Sequence, residues 1–255
     1  ELKSKHKSDG LKILKKMGVP ANAWYVTLHV REANFRGETI QTTTENFRNS
    51  AISDYKEACE AIADMGGWVL RMGNKGMSEI KNFPNTYDYA NSEFRSDWMD
   101  VFLAATCRFC IGTASGFFRV PQFFGVPVIL TNSTQTVPYF SLTDKDIFLP
   151  RMLRKTSTNE PISLCSLMAS SSNLISSDDV FRKIGLSWMH NTPEEITESV
   201  KQMMHAFKPN GFKHENISEN QNDFNTKISK LCSAEMPVDI EVLGRISEHF
   251  FKKYY

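Results

Sequence analysis

Between Arg95 and Asn132 the chain reads RSDWMDVFLAATCRFCIGTASGFFRVPQFFGVPVILTN, and this succession of patterns restricts the fold more than any other stretch. Apolar residues first recur at helical spacing, at Trp98, Val101, Phe102 and Ala105. A short β-type run from Arg108 to Ile111 follows and ends in the small-residue turn Gly112-Thr113-Ala114-Ser115-Gly116. A second apolar segment, Phe117 to Phe124, stops at Gly125, and Val128-Ile129-Leu130 makes another strand. Helix, strand, turn, helix, strand is the alternation of a parallel α/β sheet, because parallel neighbours need a crossover long enough to hold a helix. The turn falls where a strand ends and a helix opens. Backbone N–H groups and the helix dipole favour an anion there, so a phosphate-bearing ligand is expected at this turn.

The flanking sequence extends the same alternation. Leu11, Leu14 and Met17 share a face of a lysine-rich helix that Gly18 and Pro20 end. Trp24 to Val30 is the first strand, Glu32 to Asn49 a long polar loop, and Tyr55, Ala58, Ile62 and Met65 lie on a helix capped by Ser53. Trp68 to Met72 is the second strand and Tyr87 to Ala90 a short third one. Asp146 to Leu153 is extended but contains Pro150, which predicts a place at an edge or outside the main sheet. Ser163 to Ala169 reads as a helical turn, Ser170 to Ser177 as a serine-rich loop, and Ser187 to His190 as a last short strand. Thr192-Pro193-Glu194-Glu195 is a capping box opening a helix, and the remainder reads as helix at Asp223 to Cys232 and Val238 to Tyr255. The expected organisation is a Rossmann-like parallel sheet flanked by helices over residues 1–208, with a helical tail, 209–255, packing on the same domain.

Charge and cysteine usage exclude several classes. Lys+Arg 30 against Asp+Glu 29 gives a net charge of +1, without the basic excess that nucleic acid or an acidic membrane selects. No apolar run approaches the ~20 residues that cross a bilayer. The chain opens on Glu1 rather than Met and no signal peptide precedes it, the expectation for a fragment or a processed chain. Cys59, Cys107, Cys110, Cys165 and Cys232 are an odd, scattered set, which suggests a reducing compartment. Cys107 and Cys110 spell CxxC without a second pair and read as core thiols.

Strand alternation puts His29 and Arg31 on one face at the carboxyl end of the first strand. A guanidinium there can grip a diphosphate, and His29 or Glu32 can act in proton transfer; a structural histidine beside a surface Arg–Glu pair is the alternative. Arg71 ends the second strand just before Gly73, which would bring two arginines to one crevice. Thr113, Ser115 and Gly116 offer hydroxyls and N–H groups at the small-residue turn. Ser96 caps a helix whose Asp97 and Asp100 complement the dipole or face the crevice. Asp144-Lys145-Asp146 has DxD spacing, but a turn before a strand accounts for it and no metal is expected. The sequence lacks GxGxxG, GxxxxGK[ST] and GxSxG, so dinucleotide, P-loop and serine-hydrolase readings have no support.

The blocks HVRE, GGWVLRMG, YDYA, SDWMDVFLAATCRFCIGTASG, FFGVPVILTN, DIFLPRML and NTPEEI, in this order, resemble a family of bacterial glycosyltransferases over about Asp9 to Met204. The resemblance implies the carboxyl-terminal, nucleotide-sugar-binding half of a GT-B-type enzyme. His29-Val30-Arg31 is also similar to the HxR motif of fucosyltransferase-like enzymes, whose arginine contacts the donor diphosphate. Carried over, Arg31 binds diphosphate while Thr113, Ser115 and Gly116 cradle phosphate or ribose. That motif continues with a second Arg and an Asp, where this chain has Glu32 and Ala33. The implied activity moves a sugar from a nucleotide-sugar co-substrate to a glycan, lipid or protein acceptor, as in polysaccharide biosynthesis. It needs no metal and no other cofactor. A cytoplasmic place follows, including the periphery of the inner membrane, as does a separate amino-terminal acceptor domain, since GT-B enzymes have two halves. The rival readings are a catalytically inactive nucleotide- or glycan-binding module and a purely structural domain.

Overall fold

Strands apolar on both faces must be covered on both, and this dictates a sheet sandwiched between helices. The computed structural model describes residues 1–33, 46–134, 139, 141–168, 178–235 and 242–255. The chain enters through α1 (Ser4–Lys16), β1 (Tyr25–His29), α2 (Lys56–Asp64), β2 (Trp68–Arg71) and β3 (Thr86–Tyr87). It continues through α3 (Asp97–Thr106), β4 (Cys110–Thr113), α4 (Arg119–Phe123), β5 (Val128–Ser133) and β6 (Ile147–Pro150). Next come β7 (Met152–Lys155), α5 (Leu164–Met168), α6 (Asp178–Lys183), β8 (Leu186–Met189) and α7 (Pro193–Ala206). A small hairpin of β9 (Phe207–Lys208) and β10 (Gly211–Phe212) leads to α8 (Glu219–Glu235), β11 (Arg245–Ile246) and α9 (Glu248–Tyr254).

Among the described residues, seven strands form one parallel sheet in the order β11-β6-β5-β4-β1-β2-β3. This is the doubly wound order 3-2-1-4-5-6 with one strand added, so the architecture is the Rossmann-like α/β sheet that the alternation predicts. Leu28, Val69, Ile111, Ile129 and Leu149 join the core cluster that includes Ala58, Cys59 and Ile62 of α2 and Ile196, Val200 and Met203 of α7. Leu70, Cys110, Leu130 and Phe148 join the other, with Leu14 of α1 and Met99, Phe102 and Leu103 of α3. Each large side chain so buried contributes about 1.5–3 kcal/mol. Direction of chain progress reverses between β1 and β4, which opens a crevice beyond their carboxyl ends.

Three expectations change. The strand that contains Pro150 is not at an edge: β6 lies between β5 and β11. β11 pairs only with Ile147 and Phe148, so the missing N–H of Pro150 lies beyond its reach, and toward β5 the register shifts before Ser133 meets Pro150. Residues 152–155, read as the same extended run, leave the sheet as β7 and pair antiparallel with β8 in a separate ribbon. The tail is not helix alone. Within the described part of the Val238–Tyr255 segment, residues 242–255, Arg245 and Ile246 add a strand to the main sheet and helix runs from Glu248 to Tyr254, because a two-residue strand is too short to show a period of its own. Glu195 ties this tail down: its buried Oε1 accepts from Lys253 Nζ at 2.7 Å and from Tyr254 OH at 2.9 Å. Most of the Glu32–Asn49 loop, the whole serine-rich loop and the Cys232 side chain lie outside the described residues. Among the described residues no helix is long and apolar enough to cross a membrane.

Candidate functional site

Beyond the carboxyl ends of β1, β2 and β4 lies a cavity of about 390 Å³. It receives His29, Arg31 and Glu32 from the end of β1, Gly73 to Met77 from the turn after β2, and Ser115, Gly116 and Phe117 from the turn after β4. Arg95 and Asp100, around the start of α3, and Arg48, from a 3-10 turn at Asn46–Arg48, close the wall. Of the residues singled out in the sequence, His29, Arg31, Glu32, Gly73, Ser115 and Gly116 therefore meet at one place. Arg71 and Thr113 stand behind the wall.

Thr113 joins the two strand ends, since its Oγ1 accepts from the backbone N–H of Arg31 at 2.9 Å. Ser50 N–H adds a bond to the Arg31 carbonyl at 2.9 Å, so the backbone that carries the Arg31 side chain is held on both sides. His29 stacks on Phe117, with ring centroids 5.2 Å apart, and its Nδ1 lies 3.2 Å from Ser115 Oγ. Burial, with Arg71 and Arg31 nearby, lowers its pKa to about 4. At neutral pH the ring is uncharged. Where Nδ1 accepts from Ser115, Nε2 carries the proton; where Nδ1 donates, Nε2 is the acceptor.

Arg71 is fully buried, and it is an internal ion rather than a cavity cation. Nη2 donates to Glu32 Oε1 at 2.8 Å and Nη1 to Asp88 Oδ1 at 2.9 Å. Glu32 gives its second oxygen to Ser78 N–H at 2.9 Å, so the carboxylate pins the segment after β2 to the end of β1. Each carboxylate oxygen thus holds one fixed partner.

Three cations appear that strand periodicity did not show. Arg48 Nη2 donates to the Ala114 carbonyl at 2.8 Å. Arg95 reaches Gly73 O at 3.0 Å through Nε and Asn74 Oδ1 at 3.2 Å through Nη2. Lys75 sits exposed on the turn between Gly73 and Gly76. Only Lys75 carried a sequence signal, a lysine in a turn that follows a strand. Asp100 completes the set: its Oδ1 accepts from Tyr89 OH at 2.7 Å, and its Oδ2 lies 3.7 Å from Arg95.

The two glycines differ in kind. Gly73 has φ +143°, and a Cβ there would stand 2.1 Å from Met77 Sδ, so the backbone itself demands glycine. Gly116 has no such conformation, and a Cβ would meet nothing within 4 Å. Packing gives no reason for its lack of a side chain. The helix that begins there is one 3-10 turn, Gly116–Phe118, followed by the five residues of α4, so its dipole is small. Ser115 does not cap it with its side chain.

The DxD pair is divided between two jobs. Asp146 is buried, with Oδ1 accepting from Val128 N–H at 2.7 Å and Oδ2 from Thr143 N–H at 2.8 Å, Thr143 Oγ1 at 3.0 Å and Gln122 Nε2 at 3.0 Å. Asp144 borders a separate open pocket at the amino ends of β6 and β11. Cys107 and Cys110 are buried, and burial pushes the Cys107 thiol up to about 11.

No family model matches the chain, and no curated protein matches it. Among solved structures, it is similar to a glycosyl transferase of family 9 from Veillonella parvula DSM 2008, at 12% identity and a TM-score of 0.41 over 59% of this chain and 41% of that one. It is also similar to the dodecameric iron-containing heptosyltransferase TibC, solved in complex with ADP-D-beta-D-heptose, at 17% identity and a TM-score of 0.30. That match covers 45% of this chain and 28% of that one. The chain thus spans less than half the length of either structure.

Proposed function

We propose that the cavity binds the diphosphate of a nucleotide sugar and that the chain is the donor-binding half of a metal-independent, GT-B-type glycosyltransferase. The observation that carries this reading is the charge of the cavity wall. Arg31, Arg48, Lys75 and Arg95 face it, against Glu32, whose charge Arg71 already meets from behind, and Asp100. Such a wall favours a ligand with about two negative charges, and a doubly wound sheet takes its ligands at this crevice. Guanidinium groups match phosphate oxygens bidentately, and fixed cations beside a departing diphosphate supply the stabilisation that a divalent ion gives elsewhere.

Within this reading Arg31, Arg48 and Arg95 hold the diphosphate, while Lys75 adds charge at the mouth. Gly73 shapes the turn that presents Lys75. Backbone at Ser115 and Gly116 approaches a phosphate or ribose in the space that a side chain at residue 116 would take. His29, uncharged and held through Nδ1, donates Nε2–H to an oxygen of the leaving group. Glu32 and Arg71 keep the ends of β1 and β2 in register, and Thr113 does the same for β1 and β4. The acceptor is a glycan, lipid or protein brought by a second domain of a longer protein, in the cytoplasm or at the inner membrane. Kinship with bacterial and fucosyltransferase-like enzymes, read from the sequence blocks, belongs to the same proposal.

Thermal denaturation with UDP, GDP, ADP and CMP and with their sugars tests it directly. A ligand present at 100 times its Kd adds about 2.7 kcal/mol to the native state, which raises Tm measurably. No shift with any of them, and no heat on calorimetric titration, would refute the reading.

A further inference from the structure

We infer that Asp100 is the catalytic base of this site, the carboxylate that takes the proton of the hydroxyl attacking the sugar. The inference rests on the reading of the cavity as a nucleotide-sugar site. Three groups lining the cavity, among the described residues, are of a kind that accepts a proton near neutral pH: His29, Glu32 and Asp100. His29 is disfavoured as a proton carrier, because burial and two arginines oppose its positive charge. Glu32 is committed by hydrogen bonds to the fully buried Arg71 guanidinium and to the Ser78 N–H.

Asp100 differs on both counts. Its Oδ1 is fixed by Tyr89 OH, itself held by the backbone N–H of Ser96 at 3.0 Å, so the carboxylate has a set orientation. Its Oδ2 forms an ion pair with the Arg95 guanidinium at 3.7 Å, longer than a hydrogen bond and with both side chains partly exposed, and the residue borders the cavity. Burial shifts its pKa upward from the usual carboxylate value and Asp97 adds to this, against the opposing pull of Tyr89 and Arg95. The environment therefore favours the proton-bearing form that a base must reach. In the reaction the hydroxyl oxygen bonds to the anomeric carbon as the bond from that carbon to the diphosphate oxygen breaks. The bonding pair leaves with the diphosphate, and the hydroxyl proton passes to Asp100 Oδ2.

The test uses water as the acceptor. Hydrolysis of UDP-glucose, GDP-mannose and ADP-glucose is followed by release of the nucleoside diphosphate, for the parent chain, Asp100→Asn and Asp100→Glu. Asp100→Asn should bind the nucleoside diphosphate within about 3-fold of the parent, keep its Tm, and lose about 10²–10⁴-fold in kcat together with the acidic limb of the pH profile. Asp100→Glu, which keeps the carboxylate one methylene further out, should recover part of that loss. A role confined to the dipole of α3 would lower Tm and leave kcat and the pH profile alone, which overturns the inference. Hydrolysis by Asp100→Asn at the parent rate overturns it as well. Binding of a donor that the parent never hydrolyses also overturns it, while leaving the nucleotide site standing. Failure of the parent to bind any nucleotide brings down the proposed function itself.

Discussion

Glu32 Oε1 accepts a hydrogen bond from Arg71 Nη2 at 2.8 Å, at a point where the arginine has no exposure to solvent. Two arginines that end neighbouring strands in the same way thus have opposite uses, since Arg31 borders the cavity and Arg71 is sealed behind it. Arg71→Ala should cost about 3–5 kcal/mol of stability, because it strands Glu32 and Asp88 without their buried partner. Arg31→Ala should cost less than Arg71→Ala, since residue 31 is only partly buried and its backbone bonds survive. Urea unfolding of the two variants checks this; equal losses would count against the assignment.

For ligand binding the order reverses. Arg31→Ala, Arg48→Ala and Arg95→Ala should each weaken binding of the preferred nucleoside diphosphate by about 1.5–3 kcal/mol, the range for charge-assisted hydrogen bonds. The affinities are read by calorimetric titration. A variant set that binds as tightly as the parent would show that the anion does not sit among these side chains.

Gly116→Val separates a packing glycine from a ligand glycine. Its Cβ would enter open space without backbone strain, so stability should stay within about 0.5 kcal/mol of the parent. Nucleotide affinity should fall below detection. Gly73→Ala is the control, expected to destabilise through the contact with Met77.

His29 predicts a pH effect with a definite sign. Its folded pKa of about 4 lies below the ordinary value of 6.5, so the native state binds fewer protons between those values. Stability contributed by the neutral ring is complete above pH 6.5 and is lost as the pH falls toward 4, by at most about 3 kcal/mol. His29→Asn should show a flatter loss over that window. Unfolding curves at pH 7.5 and 4.5 for both proteins give the difference; identical pH dependence would refute the burial of a neutral imidazole.

The aspartate pair predicts a contrast in place of a shared metal role. Asp144→Asn should leave stability and nucleotide binding unchanged, and donor hydrolysis should persist in excess EDTA. Asp146→Asn should destabilise the fold, because an amide nitrogen would replace one acceptor oxygen among buried donors. Activity lost in EDTA and restored by Mn²⁺ would contradict the cation-based site.

Much of this site was legible in the chain. Period-two alternation placed His29 and Arg31 together at a strand end, and the run Gly112 to Gly116 marked the turn opposite them. Arg48 and Arg95 were not legible, because they reach the cavity from irregular segments, where side-chain direction follows no period. Asp100 was readable as a helix-start acid that complements the dipole or faces the crevice, and it does both.

What the sequence by itself determined was the kind and order of the central elements and several of the strand-end residues that border the cavity. Periods of 2 and 3.6 residues are local, and the crevice follows from strand order once the elements alternate. Which charged groups face that crevice was decided only by the tertiary structure. Arg71 meets Glu32 from 39 positions away, and Arg48 meets the Ala114 carbonyl from 66 away. A charge is committed or available according to its neighbours in space, and no local pattern in the chain records those neighbours.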